Sequence, residues 1–223
     1  CQDHAFLGCS GLQYLDFSGC TDLSYIDLTG ITSLTTLNPF AFSNTASLES
    51  INLNELISLT TISNNAFQYS GLTFVDLSAN KQLEIIGESA FLDCSLMTYI
   101  TCQDVSSLTK CISGLFVGCS SLNILDFSGC THLSYIDLSG LQHIQTLNSY
   151  AFSNCVSLTQ IDINAINDLV TISNNAFQYS GLTSIDLSAN TDLQIIGPQV
   201  FMGCTNLSSI ICQDLSSLQE CQD

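Results

Sequence analysis

The side chains in this sequence that are able to do chemistry are cysteines and carboxylates, and both recur at fixed spacing. There are twelve cysteines, none in the short C-x-x-C spacing that a zinc site would use, so a zinc centre is not expected. Cys102, Cys111, Cys212 and Cys221 stand at positions where the repeated pattern otherwise carries Ile163 and Ile172, which predicts that they point inward. Cys9, Cys94, Cys119, Cys155 and Cys204 follow a phenylalanine in a polar turn. Two readings stand side by side. A buried cysteine behaves as a small hydrophobe, which makes a ladder of reduced thiols one outcome. Stacked turns about 5 Å apart also match the Cα separation of a disulfide. On that reading Cys94 with Cys119 is the clearest pair, and Cys102, Cys111, Cys212, Cys221 and Cys1 are further candidates. So many cysteines without metal spacing point to an oxidising, extracellular setting.

The carboxylates form the second set. Asp16, Asp76, Asp126, Asp162 and Asp186 each sit between two inward-pointing residues of a short extended segment, with Asn52 in that place once, and Asp27 and Asp137 recur on a second segment. Period-two alternation turns all of them outward. Like charges opposite one another destabilise a sheet, so either a hard cation such as calcium bridges them or they splay into water between Asn and Thr. The solvated ladder is preferred and calcium is kept as a weak candidate; no other cofactor is expected. His4, His132 and His143 are the only histidines. No nucleophile elbow or metal motif accompanies them, so no enzymatic role is expected. Asn206-Leu207-Ser208 is the one glycosylation sequon.

The charge balance narrows the partners. Lys81 and Lys110 are the only basic residues against 20 acidic ones, a formal net charge of −18. Binding to phosphate backbones relies on Lys and Arg, which excludes nucleic acid as a partner and disfavours an anionic membrane surface. No apolar run approaches the length of a membrane-spanning helix.

These residues must be positioned by a repeat. Its clearest unit is AFQYSGLTFVDL, Ala66 to Leu77: an Ala-Phe pair, a polar turn, then L-x-x-V-x-L on a short strand. The phenylalanine recurs at Phe6, Phe42, Phe67, Phe91, Phe116, Phe152, Phe177 and Phe201, and a fixed period of roughly 20–50 residues is the mark of a solenoid. These rings are expected to fill one edge of the core. Asn64-Asn65 and Asn174-Asn175 precede Ala-Phe and are expected to satisfy turn amides.

A longer repeat contains the short one. Shifted by 110 residues the sequence falls on itself: TISNNAFQYSGLT at 61–73 returns at 171–183, and LDFSGC at 15–20 returns at 125–130. The domain reading is one continuous solenoid over 1–223, in tandem copies of about 1–110 and 111–220. Cys-Gln-Asp at both ends fits either a piece of a longer array or a favoured local string, since it also occurs at 102–104 and 212–214. Each copy holds nine apolar segments beginning near Leu12, Leu23, Leu34, Leu48, Leu59, Leu72, Leu83, Met97 and Leu108. Two segments per turn make four and a half turns, so the second copy would begin on the opposite side. The alternative is four turns, the first a longer three-sided coil from Ala5 to Phe40. That alternative is preferred, because it keeps the phenylalanines in one column.

The pattern A-F-x-x-C-x-x-L-x-x-I-x-L, cleanest at AFSNCVSLTQIDI over 151–163, resembles the BspA-like type of leucine-rich repeat along essentially the whole chain. The resemblance implies a mostly β solenoid of about 8–9 turns with short parallel strands and few or no helices. It implies surface or secreted proteins with binding or adhesion roles and no catalytic residue. The sequence departs from the pattern in having almost no Pro after the strand. Neither end reads as a polar cap, which solenoids normally need. The expected function is therefore an extracellular structural protein that stacks or continues end to end into a fibre. The alternative is an adhesin whose acidic sheet face engages protein or glycan.

Overall fold

The computed structural model describes residues 5–212 and 216–221; Cys1 and His4 lie outside the described residues. L-x-x-I-x-L segments turn an apolar side chain inward at every second residue, and polar corners break each strand before it lengthens. The result is strands of two or three residues in parallel ladders, as the family resemblance implies. One face (face I) carries β1 (Thr36–Leu37), β2 (Thr61–Ile62), β4 (Ile85–Ile86), β6 (Lys110–Cys111) and β8 (Tyr135–Ile136), then β11 (Ser184–Asp186) and β13 (Ser209–Ile211). The opposite face (face II) carries β3 (Phe74–Asp76), β5 (Tyr99–Thr101) and β7 (Ile124–Asp126), then β9 (Thr146–Leu147), β10 (Thr171–Ile172), β12 (Ile195–Ile196) and β14 (Glu220–Cys221). Seven strands thus stack on each side. Among the described residues there is no α-helix, only two single-turn 3-10 helices at Leu53–Glu55 and Ile163–Ala165.

The register settles how the 110-residue copies relate. Thr36 pairs Thr61, Thr61 pairs Ile85, Ile85 pairs Lys110 and Lys110 pairs Tyr135, so coils advance by 24 or 25 residues. One coil per copy is shorter. After β7 the next layer on face II is β9: the Leu125 amide donates to Asn148 Oδ1 at 3.0 Å, and Phe127 N donates to Ala151 O at 2.8 Å. In the first copy Phe17 N donates to Ala41 O in the same way, at 2.7 Å. The three-sided first coil is therefore a correction: each copy makes four and a half two-sided coils. Identical segments consequently lie on opposite faces. Thr61-Ile62 pairs on face I and its twin Thr171-Ile172 on face II.

The expectation of one phenylalanine column falls with it. Phe17, Phe42, Phe67 and Phe91 stack ring on ring at one edge, with centroids 5.4–5.5 Å apart. Phe127, Phe152, Phe177 and Phe201 stack at the other edge, 5.7–5.8 Å apart. One coil rises by about one strand spacing, 4.7–4.9 Å, which forces parallel rings into this offset stack. Phe116 continues the first edge, its coil joined by Asp93 N to Val117 O at 2.8 Å; beyond it Leu138 and Ile163 follow in the core. Phe42, Phe67, Phe91, Phe116, Phe152 and Phe177 are wholly buried, whereas Phe6 and Phe201 in the end coils are half covered.

Candidate interaction surfaces

The corner after each phenylalanine positions the cysteines. The residue two past the ring holds a left-handed backbone at Asn44, Tyr69, Asp93, Asn154 and Tyr179, and is glycine at Gly118, Gly129 and Gly203. That turn aims the next residue back into the coil. There Cys94 and Cys119 donate from Sγ to the carbonyls of Phe67 and Phe91, each at 3.1 Å. At the opposite edge Cys130, Cys155 and Cys204 donate to Cys102, Phe127 and Phe177 carbonyls at 3.0–3.1 Å. Asn80 does the same with its amide, to Leu53 and Leu56 carbonyls at 3.0 and 2.9 Å. Buried carbonyls need donors, and these side chains supply them between coils.

All eleven described cysteines are free thiols, seven of them buried. Cys94 and Cys119 do occupy neighbouring coils of one edge, but each sulfur faces a carbonyl of the coil before it. Burial pushes the Cys94 thiol up to about 11 and Cys130 to about 12, and drives Cys102, Cys111, Cys119 and Cys155 well above the usual thiol range. A thiol held in that state is a poor nucleophile. Cys102 and Cys111 point inward as expected. Cys212 and Cys221, expected to point inward, are exposed in the last described coil.

The aspartates serve the turns. Asp16, Asp76, Asp126, Asp137 and Asp186 each accept the backbone N–H two residues on, from Ser18, Ser78, Ser128, Ser139 and Ser188, at 2.8–3.0 Å. Asp27 does so from Thr29. Hydrogen bonds from Ser18 and Ser188 hold the Asp16 and Asp186 carboxyls below the usual range. Burial works to raise Asp76 and Asp137, but hydrogen bonds outweigh it: from Ser78 and Asn54 at Asp76, and from the Gly114 amide and Ser139 at Asp137. Asp162 differs, preceding a 3-10 turn without a side-chain cap. The half-turn phase also divides the expected ladder. On face II, Asp76 aligns with Thr101 and Thr101 with Asp126, so a neutral residue separates the charges. Among the described residues no three acidic, histidine or cysteine side chains converge to hold a metal ion.

Two of the grooves on the described surface are related by the 110-residue shift. The first, about 620 Å³, lies on face II where segment 50–52 forms no strand; Tyr25 and Phe74 flank it over Asp27, Asn52, Asn54 and Asp76. The second, about 530 Å³, lies on face I with Tyr135 and Ser184 over Asp137, Asp162, Asn164 and Asp186. These are the same positions shifted by 110. Tyr14, Tyr25 and Tyr135 project outward, whereas Tyr99 is half buried. Phe74, exposed beside Tyr99 and Ile124 on β3, β5 and β7, was not anticipated. Its place two residues before Asp76 on the outward alternation was the available signal.

The remaining candidates are simply placed. His132 Nδ1 donates to Ser106 O at 2.6 Å and His143 Nε2 to Leu122 O at 2.7 Å, so both rings are tied to backbone. Asn64 Oδ1 accepts the Glu88 amide at 3.1 Å and Asn65 is left-handed, the turn role expected of the pair. Asn206 lies exposed on a corner. No helix of the described residues is long and apolar enough to cross a membrane. At the ends, Phe6, Leu12, Phe17 and Leu23 on one side, and Phe201, Leu207 and Leu218 on the other, are only partly covered. The second end forms an apolar hollow of about 480 Å³ between Ile196, Phe201, Ile210 and Leu218.

Comparison with known proteins adds the following. Residues 8–123 and 125–222 match the family model described as the BspA type leucine rich repeat region, in six copies. No curated protein sequence matches the chain. Among solved structures, a leucine-rich repeat protein from Bacteroides ovatus is 21% identical, with a TM-score of 0.37, over 99% of this chain and 63% of that one. A leucine rich cell surface protein from Faecalibacterium prausnitzii is 23% identical, with a TM-score of 0.34, over 79% of this chain and 42% of that one. The functional domain of InlJ from Listeria monocytogenes, described as including a cysteine ladder, is 18% identical, with a TM-score of 0.33, over 94% of this chain and 57% of that one. The chain spans less than two thirds of each.

Proposed function

The chain belongs to the BspA-type leucine-rich repeat family, and from that premise we propose that it is an extracellular, non-enzymatic adhesion protein that works by contact through the outer faces of its solenoid. One observation carries this reading. Seven of the eleven described thiols are buried and six of the repeated aspartates bond turn amides, while exposed rings flank two surface grooves. Repeat solenoids characteristically bind through such extended faces. The test is binding of the purified protein to a panel of immobilised secreted proteins and glycans. Saturable binding, lost when Tyr25→Ala with Phe74→Ala and Tyr135→Ala are combined, supports the reading; no binding anywhere on the panel refutes it.

A second reading, a fibre, draws on a different observation. Inside the chain, the coil ending at Cys111 is covered by Phe116, Cys119, Leu122 and Leu125, and Ile100 pairs with Leu125. The same residue types recur at Phe6, Cys9, Leu12 and Leu15. The apolar hollow near Phe201 and Leu218 therefore suits either further coils of a longer chain or the first coil of a second copy, a contact that propagates without closing. Negative-stain microscopy of native material is expected to reveal filaments; uniform short particles would remove the fibre reading and leave adhesion intact.

A further inference from the structure

Four and a half coils per copy mean that anything built once in the 110-residue unit appears again half a turn round the solenoid and about four and a half strand spacings along it, roughly 22 Å. The two grooves are such a pair. We propose that they are one binding site built twice and facing opposite ways, each taking a Lys- or Arg-bearing segment of a partner protein, so that a single chain bridges two partners. The proposal rests on the adhesion reading above and names its partner class and valency.

What both grooves share decides the ligand. Phe74 of the first is Ser184 in the second, so a second ring is not common to them. The tyrosine and the carboxylates are: Tyr25 with Asp27 and Asp76 in one, Tyr135 with Asp137 and Asp186 in the other. Carboxylates only accept hydrogen bonds, and those of Asp76, Asp137 and Asp186 are held below the usual range by their turn partners, hence ionised at neutral pH. No lysine lines either groove, and Lys81 donates to the Gln103 and Asp104 carbonyls at 3.2 and 3.1 Å. An anionic ligand would meet the repulsion of these carboxylates, which Lys81 offsets only at Asp76 among the three. A cationic side chain finds acceptors together with the face of an exposed ring, the arrangement that favours a cation–π contact. The net charge of −18 adds long-range attraction for a basic partner. A lone metal ion is not favoured, since three carboxylates do not converge.

The experiment uses an end-blocked peptide of alternating lysine and serine as the probe, followed by calorimetry at low and high salt. Two sites per chain are expected, weakening as salt rises. Tyr25→Ala with Asp76→Asn should remove one site, and Tyr135→Ala with Asp186→Asn the other. Asp22→Asn with Asp168→Asn, exposed and outside both grooves, should leave two. Peptide-coated beads should clump with the unaltered chain and not with either single-groove variant. Equal weakening by the control variant would reduce the effect to diffuse charge and overturn the proposal. Loss of all binding on altering one groove would overturn the two-site claim. Binding to the panel of secreted proteins and glycans without peptide binding would overturn the partner class alone, whereas silence in both assays would take the adhesion reading with it.

Discussion

At the scale of single residues the fold depends on side chains that close gaps between coils. Phe177 is wholly buried between Phe152 and Phe201. Phe177→Ala leaves a cavity and a broken stack, and should cost about 3–5 kcal/mol in denaturant unfolding; Phe201→Ala, half covered already, should cost clearly less. The cysteines make a second prediction. With seven buried thiols, five of them donating to carbonyls, a thiol reagent should label Cys9, Cys20, Cys212 and Cys221 quickly in the native protein, and the buried seven only on unfolding. Slow or absent labelling after denaturation without reductant would reveal disulfides instead. The repeat made legible the burial of Cys102, Cys111 and most of the rings, but neither the exposure of Cys212 and Cys221 nor the division of the rings between two edges. The aspartate role was legible too, since Asp is followed by Ser or Thr two residues later at Asp16, Asp27, Asp76, Asp126, Asp137 and Asp186, an Asx-turn signature obscured by attention to their charge.

At the scale of elements, two- and three-residue strands hold only because corners are satisfied coil by coil. Asp137 ties its own turn to the neighbouring one, accepting Gly114 N at 2.7 Å and Ser139 N at 2.8 Å. Its carboxyl lies below the ordinary value of 3.8 in the folded chain. The stability it contributes is therefore present above the unfolded value and is lost as pH falls through the lower folded one. Thermal melts taken from about pH 6 down to about pH 2 should show a decline that begins near the unfolded value and is steepest below it. Asp137→Ala should lower the melting temperature at neutral pH and flatten that acid decline. The corners also explain why phase was hard to read. Leu138-Leu141 and Ile163-Ile166 fill at one edge the corner that Phe127-Cys130 fills at the other, so a missing phenylalanine marks a change of edge and not a longer coil.

At the scale of the whole molecule the period governs everything outside the core. Strand spacing and inward positions are local properties, and the sequence carries them plainly. Which face a repeat occupies is a cumulative property, set by the one short coil in each copy, and no local pattern records it. That accumulated half-turn sends twin grooves to opposite faces and splits the phenylalanines into two stacks. A further 110-residue copy would return to the first face. The most direct test is a nuclear Overhauser spectrum with labelled Phe rings and Ile and Leu methyls. The half-turn arrangement predicts contacts of Phe127 with Phe152 and of Ile100 with Leu125, and none between Phe116 and Phe152. A Phe116–Phe152 ring contact would restore the three-sided coil and contradict the account.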